Sequence, residues 1–273
     1  MDKKISIIGF GSMGSMISNK ILENSIINQH DLYISNRTRI KTKDLEFHFP
    51  LVNIVNNIDA VNNSNIILLC VKPNDFIDLL KHIQPFLTTK KHLISITGSI
   101  PISTIEHYHN GPVSIAIPTI TGEVGKGVSV FVSNSKISLE DKTDLVAIFS
   151  TMGKVKEVDP LLLDIMIDLT SCTPGFIGAL FSNYASIINK HIKEKEFNED
   201  VTNILIETLK GTIDLIDTKQ MTFDEVITRV ATKGGITEEG IKIINEKMPD
   251  VFEQIIHNTM EKRQTIMKSI SKI

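Results

Sequence analysis

Short apolar segments alternate with longer amphipathic ones through the first 158 residues of the chain. Most of the apolar segments are rich in Ile and Val and show little polar alternation, which is typical of strands covered on both faces. We predict strands at Ile5–Gly9, Leu32–Ser35, Ile66–Val71, Leu93–Thr97, Val113–Pro118, Val128–Val132 and Val155–Val158. Helices are predicted between them, near residues 12–24, 39–47, 75–84, 101–107 and 138–151. This regular succession predicts βαβ units and a mainly parallel sheet.

The pattern changes after Asp159-Pro160, because Asp159 can cap a helix and Pro160 suits its first turn. From there apolar residues recur at helical spacing and we predict no strand. The predicted helices cover 160–171, 175–194, 199–217, 222–230, 237–246 and 249–271. We therefore expect an α/β domain of the Rossmann type over residues 1–158, followed by an all-helical domain over 159–273.

A glycine-rich motif follows the first predicted strand and opens the first predicted helix. It consists of Gly9, Phe10, Gly11, Ser12, Met13 and Gly14, which fit the pattern GxGxxG. In such a motif the first glycine makes the tight turn and the second lets the backbone approach a pyrophosphate. The third lets helix and strand pack closely, while the helix N-terminus faces the negative charge. The context favours dinucleotide binding over the alternative of a purely structural turn.

The tip of the second predicted strand indicates which dinucleotide is bound. An NAD enzyme usually carries Asp or Glu there for the ribose hydroxyls, whereas this chain has Ser35, Asn36, Arg37 and Thr38, with Arg39 and Lys41 close behind. A neutral tip followed by cations and a hydroxyl suits the 2′-phosphate of NADP(H). NAD(H) stays an alternative, as does the interpretation of these cations as a solvated helix start.

Two further loops are expected at the same cleft, because ligands bind beyond the carboxyl ends of parallel strands. Val71, Lys72 and Pro73 follow one hydrophobic strand, and Thr97 and Gly98 follow the next. We expect these residues to contact the cofactor, although Lys72 also has the simpler interpretation of a surface lysine.

Composition narrows the remaining classes. The formal net charge is −3, and no dense block of Lys and Arg is present, so we do not expect nucleic-acid binding. The two cysteines, Cys70 and Cys172, form no metal-ligand spacing, and we favour two reduced thiols over the alternative of a disulfide between them. We expect no metal, no signal peptide and no apolar stretch approaching the length of a membrane span, and therefore a cytoplasmic protein.

In their order along the chain, these motifs resemble those of pyrroline-5-carboxylate reductases. The Asn-Arg-Thr tip, the Val-Lys-Pro loop and a proline-led loop at Pro118 before Gly127-Val128 all fit that family. In the second half, Asp168–Phe176 resembles the family's Gly-Ser-Gly-Pro-Ala-aromatic segment. Thr232–Thr237 resembles its Ser-Pro-Gly-Gly-x-Thr loop. The resemblance runs from about residue 4 to 265.

The resemblance implies NADPH-dependent reduction of the cyclic imine 1-pyrroline-5-carboxylate to proline. It also implies helical domains that form a homodimer or a higher assembly. It places a cofactor contact at Asn57 and a substrate contact at Thr237. Within the loop that starts at Thr232, Gly234 and Gly235 offer backbone N–H groups and a helix dipole to the substrate carboxylate. Alternatively, the two glycines simply end one helix and begin the next.

Several positions depart from the family's motifs. Lys233 replaces the proline of the Gly-Gly loop, Ser171-Cys172-Thr173 replaces Gly-Ser-Gly, the Pro-Asn-Thr-Pro loop reads Pro118–Thr121, and Ile115 stands where an arginine is common. These variants are most similar to the reductase-like proteins encoded with competence operons in Gram-positive bacteria. Two alternatives therefore stay open, namely a reductase of another imine or carbonyl compound and a cofactor-binding regulatory protein without turnover.

Overall fold

The computed structural model describes residues 3–192 and 198–270. The chain folds into two compact units, which are described separately. The first unit contains the residues up to Pro174 together with those from Thr259 onward, and the second contains Gly175–Asn258. The domain boundary near residue 158 marks the change from strands to helices, and it stays a prediction.

An eight-stranded sheet forms the centre of the first unit. Its strands run in the order β3-β2-β1-β4-β5-β6-β7-β8, and every neighbouring pair is parallel except β6 and β7. The strands are β1 (Ile5–Ile8), β2 (Leu32–Ser35), β3 (Asn53–Ile54), β4 (Ile66–Leu69), β5 (His92–Ser95), β6 (Val113–Ile117), β7 (Gly127–Ser133) and β8 (Gly153–Glu157). The mainly parallel sheet predicted from the sequence is thus confirmed.

Helices cover this sheet with apolar faces. They are α1 (Ser12–Glu23), α2 (Lys43–His48), α3 (Asn57–Asn62), α4 (Pro73–Ile83), α5 (Ile102–Glu106) and α6 (Leu139–Ser150). All four residues of β1 and of β4 are buried, and α4 buries Phe76, Leu80 and Ile83 against the sheet. Burial on both faces explains why these strands read as unbroken apolar runs.

The prediction missed β3 and α3, two short neighbouring elements. β3 has two residues, and α3 has the sequence NIDAVN, whose asparagines are poor helix formers. Tertiary and capping contacts stabilise α3 instead. The side chain of Asn56 accepts a hydrogen bond from the N–H of Asp59 at 2.9 Å, and Ala60 and Val61 are buried. Several predicted strands were also one or two residues too long at their carboxyl ends.

Beyond β8 the chain is helical. A 3₁₀ turn (Pro160–Leu162), α7 (Leu163–Ile167) and a π-helical turn (Asp168–Cys172) lead into α8 (Thr173–His191), α9 (Asn198–Lys219), α10 (Phe223–Val230) and α11 (Ile236–Ile270). Residues 193, 194 and 271, which belong to predicted helices, lie outside the described residues. The predicted break before Pro249 is wrong, because α11 continues through this residue. Proline removes one hydrogen bond, but its fixed φ is itself helical.

The segment Pro160–His191 corrects a second expectation. Its 32 residues are long and apolar enough to cross a membrane, judged by length and composition alone, and 17% of its most apolar window is buried within the chain. Large exposed apolar side chains continue through the second unit, and Ile187, Ile204 and Ile213 are examples. Exposed apolar patches of this kind commonly mark contacts with another molecule.

The buried His92 at the start of β5 predicts an acid-sensitive fold. Its Nε2 atom lies 2.8 Å from Ser114 Oγ, while Nδ1 is buried without a partner among the described residues. Burial lowers the pKa of His92 from 6.5 to about 4. The neutral form therefore contributes full stability above pH 6.5. This contribution is lost progressively as the pH falls towards 4, by about 3 kcal/mol in total.

We expect His92→Gln to flatten the dependence of unfolding free energy on pH between 6.5 and 4, measured by urea titration at several pH values. The exposed His107 supplies the control, and His107→Gln should keep the wild-type slope. Burial also lowers the pKa of His109. This residue is retained in all three proteins, so its contribution to the pH dependence is common to them. Identical slopes in wild type and His92→Gln would contradict the prediction.

Candidate functional site

A cleft of about 490 Å³ opens at the carboxyl ends of β1, β2 and β4. From β1 to β3 the chain adds strands on one side of β1, and from β4 onward it adds them on the other side. Open α/β sheets bind ligands at the point where this order reverses. Of the residues predicted to bind a cofactor, the cleft is lined by Gly9, Phe10, Gly11, Asn36, Arg37, Thr38, Asn57, Val71 and Lys72.

The three glycines of the motif differ in their surroundings. Gly9 has φ +102°, and a Cβ added there would lie 2.5 Å from the carbonyl oxygen of Cys70. A Cβ on Gly14 would collide with the carbonyl oxygen of Gly9, whereas a Cβ on Gly11 would meet no atom within 4 Å. Gly9 and Gly14 therefore allow β1, α1 and β4 to approach one another closely, and Gly11 faces open space in the cleft.

The N-terminus of α1 points its free backbone donors at this cleft edge. Gly11 is the N-cap, and no side chain caps the helix there. Ser12 and Met13 are the first residues of α1, where the backbone N–H groups have no acceptor within the helix. An anion beside Gly11 would meet these donors and the positive end of the helix dipole.

Two asparagines brace the turn. Asn36 Oδ1 accepts a hydrogen bond from the N–H of Phe10 at 3.0 Å, and its Nδ2 donates to the carbonyl of Thr38 at 2.8 Å. Ser35 Oγ donates to Asn57 Oδ1 at 2.7 Å, and the N–H of Gly9 donates to the Ser35 carbonyl at 2.8 Å. The tip of β2 is therefore tied to the glycine turn and to α3 before any ligand binds.

The three cations after β2 have different partners. Arg39 Nη2 lies 4.0 Å from Glu46 Oε2. Arg37 and Lys41 are exposed, line the cleft and have no carboxylate within 4 Å among the residues the structure describes. Arg37 and Lys41 thus present uncompensated positive charge to the cleft, while the charge of Arg39 is partly balanced. The sequence shows three equivalent cations here, since it gives no sign that Glu46 lies within reach of only one.

Several cleft residues were missed by sequence reasoning. Asp75, Asp78, Leu79 and His82 line the cleft from α4. The amphipathic pattern of α4 identified the face that packs on the sheet. It did not show that other side chains of the same helix border the cleft. Of the residues that were predicted, Lys72 is the N-cap residue of α4, without a side-chain capping bond, and Pro73 is the first residue of the helix.

The Thr97–Gly98 loop lies at the same edge of the sheet but does not line the cleft. The side chain of Ser95 accepts the N–H of Thr97 at 3.2 Å. A Cβ on Gly98 would collide with the side chain of Ile167, which packs in a cluster with Ile117 and Val130. Gly98 therefore makes room for α7 in this structure.

The Gly-Gly loop belongs to the second unit. Gly234 has φ +75°, so glycine is required for this conformation. The N–H of Gly235 donates to the carbonyl of Thr232 at 2.8 Å, and the N–H of Gly234 donates to Glu238 Oε2 at 2.7 Å. Thr237 is the exposed second residue of α11. A carboxylate, that of Glu238, thus already occupies one donor that the sequence assigned to the substrate.

The two cysteines are free thiols of intermediate exposure. Burial raises the pKa of Cys70, which lies beneath the glycine turn. Burial and the neighbouring Asp168 raise the pKa of Cys172. Within residues 3–192 and 198–270, no group of three or more His, Cys, Asp or Glu side chains is arranged to hold a metal ion.

A Rossmann-type sheet with a glycine turn at its reversal point, followed by a helical unit, defines the class of NAD(P)-dependent oxidoreductases. Two family models agree with this class. One described as "NADP oxidoreductase coenzyme F420-dependent" matches residues 4–99, and one described as "Pyrroline-5-carboxylate reductase dimerisation" matches residues 161–266.

Whole-chain comparisons narrow the class to a family. The chain is 32% identical over 273 residues to pyrroline-5-carboxylate reductase 3 of Bacillus subtilis, covering 99% of each sequence. It is 26% identical over 271 residues to ComE operon protein 4 of the same organism, covering 98% of each. The chain therefore belongs to the pyrroline-5-carboxylate reductase family, whose members are oxidoreductases acting on a C=N bond.

Solved structures share the fold. The pyrroline carboxylate reductase of Plasmodium falciparum, solved with NADP bound, has a TM-score of 0.83 and 22% identity, and the match covers 98% of each chain. The enzyme of Streptococcus pyogenes has a TM-score of 0.84 and 18% identity, covering 96% of this chain and 98% of that one.

The contrast between Gly9 and Gly11 predicts different effects on stability. Gly9→Ala places a methyl group against the Cys70 carbonyl at positive φ, and should cost about 3 kcal/mol or more. Gly11→Ala introduces the same methyl group where the φ is −91° and no atom lies within 4 Å. Because alanine is a poorer N-cap than glycine, Gly11→Ala should cost about 1 kcal/mol at most, well below the loss expected for Gly9→Ala. Equal destabilisation by both substitutions would contradict this account of the turn.

Proposed function

We propose that the protein is an NADPH-dependent reductase of a cyclic imine, with 1-pyrroline-5-carboxylate as substrate and L-proline as product. The observation that carries the proposal is the braced glycine turn with the uncompensated charges of Arg37 and Lys41 at its rim. It occurs in a chain related over its whole length to pyrroline-5-carboxylate reductase 3.

The residues of the cleft fit NADP(H). The open space at Gly11 leaves room for a pyrophosphate over the N-terminus of α1. Arg37, Lys41 and the hydroxyl of Thr38 suit the 2′-phosphate, since no acidic side chain stands at the tip of β2. Asn57 and Lys72 complete the walls. When bound, the cofactor supplies the hydride, and the protein supplies position and charge.

The Gly-Gly loop is proposed to receive the substrate. The hydroxyl of Thr237 hydrogen-bonds the ring nitrogen, and the first N–H groups of α11 receive the substrate carboxylate. Thr232 holds the turn through its bond from Gly235. Because Glu238 accepts the N–H of Gly234, its side chain must rotate away before a substrate carboxylate can bind there. In this reaction the carbon of the C=N bond gains the hydride, and the protonated nitrogen becomes the amine.

The helical unit is proposed to form a homodimer, with higher assembly as a further possibility of the fold. It lies within residues 161–266, which match the dimerisation model, and it has exposed apolar side chains such as Ile187, Ile204 and Ile213. Burying such side chains against a second copy would remove them from water. We place the enzyme in the cytoplasm.

A second candidate is reduction of a different imine or carbonyl compound. The departures at Ser171-Cys172-Thr173 and Lys233, together with the relationship to ComE operon protein 4, favour it. A third candidate is a regulatory protein that binds NADPH without turnover.

The decisive experiment follows NADPH oxidation with 1-pyrroline-5-carboxylate and a panel of other cyclic imines. The proposal expects highest kcat/KM for 1-pyrroline-5-carboxylate. A higher value for another imine would move the protein to the second candidate. Tight NADPH binding with no turnover of any compound would move it to the third.

Arg37→Ala tests the choice of nucleotide. Removing this uncompensated charge should weaken NADPH binding about tenfold or more and leave NADH binding within about twofold, because only NADPH carries the 2′-phosphate. Isothermal titration with both nucleotides measures the difference. The matched control is Lys43→Ala, an exposed cation of α2 that does not line the cleft. Equal losses for NADPH and NADH would remove the argument for a 2′-phosphate site.

Thr237→Ala tests the substrate loop. We expect kcat/KM for the imine to fall about tenfold or more while the Kd for NADPH stays within about twofold, since the hydroxyl serves only the substrate. Thr228→Ala on α10 is the control, because its hydroxyl bonds only the carbonyl of Asp224. A parallel loss of NADPH affinity would refute the role assigned to Thr237.

A further inference from the structure

A buried ion pair in the first unit lies outside the nucleotide cleft. Asp168 is 5% exposed, and its Oδ1 accepts a hydrogen bond from Arg263 Nη2 at 2.6 Å. Its Oδ2 accepts one from Thr259 Oγ1 at 2.8 Å. Arg263 Nε also lies 3.6 Å from Asp164 Oδ1, and the arginine side chain is 10% exposed. Asp164 and Asp168 thus form polar contacts with side chains in the C-terminal part of α11.

Net stabilisation does not explain this arrangement well. Burying two charges costs desolvation energy that their attraction only offsets when the remaining polar atoms are also satisfied. Here Arg263 Nη1 is buried and has no hydrogen-bond partner among the described residues. An apolar contact of the same size would hold the two segments together at lower cost, so the pair is better explained by what it fixes in place.

The pair fixes a π-helical turn. Asp168 is the first residue of the π-helical turn Asp168–Cys172, and its carbonyl accepts both the backbone N–H and the side-chain hydroxyl of Thr173. Because these bonds all converge on one residue, the position of Asp168 sets the positions of Ser171, Cys172 and Thr173. Single π-helical turns within α-helices are frequently found at functional sites.

The turn lies at the ligand-binding edge of the sheet. Ile167, the residue before Asp168, packs directly over Gly98 at the carboxyl end of β5. The carboxyl ends of β1 and β4, which form the nucleotide cleft, lie on this same edge because all these strands are parallel. Moving Asp168 would therefore move a turn that borders the edge where ligands bind.

We propose that Asp168 and Arg263 are positioning residues for the reduction, which hold the π-helical turn beside the Thr97–Gly98 end of the sheet, at the edge where ligands bind. This inference rests on the proposed function. Neither residue lines the nucleotide cleft, so we expect their substitution to affect turnover and to leave cofactor binding unchanged.

The test compares Asp168→Asn, Arg263→Gln and Arg263→Lys with wild type. We expect kcat/KM for the imine to fall about tenfold or more in the first two, with the Kd for NADPH within about twofold of wild type. Arg263→Lys keeps the charge and should recover part of the loss. Lys142→Gln is the control, because it breaks an exposed 2.8 Å pair with Glu157 elsewhere in the same unit. All rates are measured below the onset of thermal unfolding of each variant.

A second readout needs no turnover. Peptide-resolved mass spectrometry follows alkylation of Cys172, with Cys70 as the internal reference. Arg263 lowers the pKa of the Cys172 thiol, so loss of its charge alone would slow alkylation in Arg263→Gln. Faster alkylation of Cys172 in this variant, with Cys70 unchanged, therefore reports that the turn has moved.

The outcomes separate the two proposals. Turnover within about twofold of wild type in Asp168→Asn and Arg263→Gln would overturn the inference, and so would losses of NADPH affinity as large as those in turnover. If the wild type binds NADPH but reduces no imine, the proposed function fails. The alkylation of Cys172 then still decides whether the ion pair fixes the π-helical turn, and an unchanged or slower rate in Arg263→Gln overturns that.

Discussion

The first unit depends on the contact of three backbones at one point. Gly9 passes within van der Waals reach of the Cys70 carbonyl, and Gly14 packs on the carbonyl of Gly9, so no side chain fits at either position. This contact brings the carboxyl ends of β1 and β4 together over the N-terminus of α1. Backbone atoms make this contact, and the side chain of Asn36 adds one hydrogen bond to it, accepted from the N–H of Phe10. The nucleotide half of the site is therefore set by chain geometry more than by any particular side chain.

The sequence predicted the elements whose burial is visible in their own pattern of apolar residues. The strands β1 and β4 are buried on both faces and read as unbroken apolar runs. β3 and α3 were not predicted because contacts with other parts of the chain stabilise them. One example is the hydrogen bond that the N–H of Val55, between these two elements, donates to the carbonyl of Ile34 in β2. The helix α11 passes through Pro249 for a related reason. Local propensity favours a break there, because an interior proline costs about 3 kcal/mol, so contacts beyond the local sequence must offset this cost in the 35-residue helix.

Residue types in the cleft were likewise predictable, whereas their partners were not. The glycine motif and the cations after β2 follow from the sequence, but only coordinates show that Glu46 lies near Arg39 and leaves Arg37 and Lys41 unbalanced. Asn36 was expected to contact the cofactor, and in the structure its side chain braces Phe10 and Thr38. A net charge of −3 over the whole chain hides this local positive rim. Pairing over long sequence separations is what a single sequence does not report.

The departures from the family's motifs and the buried ion pair have one physical explanation. Replacing Gly-Ser-Gly by Ser171-Cys172-Thr173 adds side chains to a segment that otherwise has almost none, and in this structure the segment forms a π-helical turn. The π-helical turn is wider, and the hydroxyl of Thr173 finds an acceptor in the carbonyl of Asp168. Bonds from outside the turn also hold its first residue in place. The bonds from Arg263 and Thr259 to Asp168 supply that constraint. On our proposal, the ion pair thus fixes this bulkier segment at the edge of the sheet.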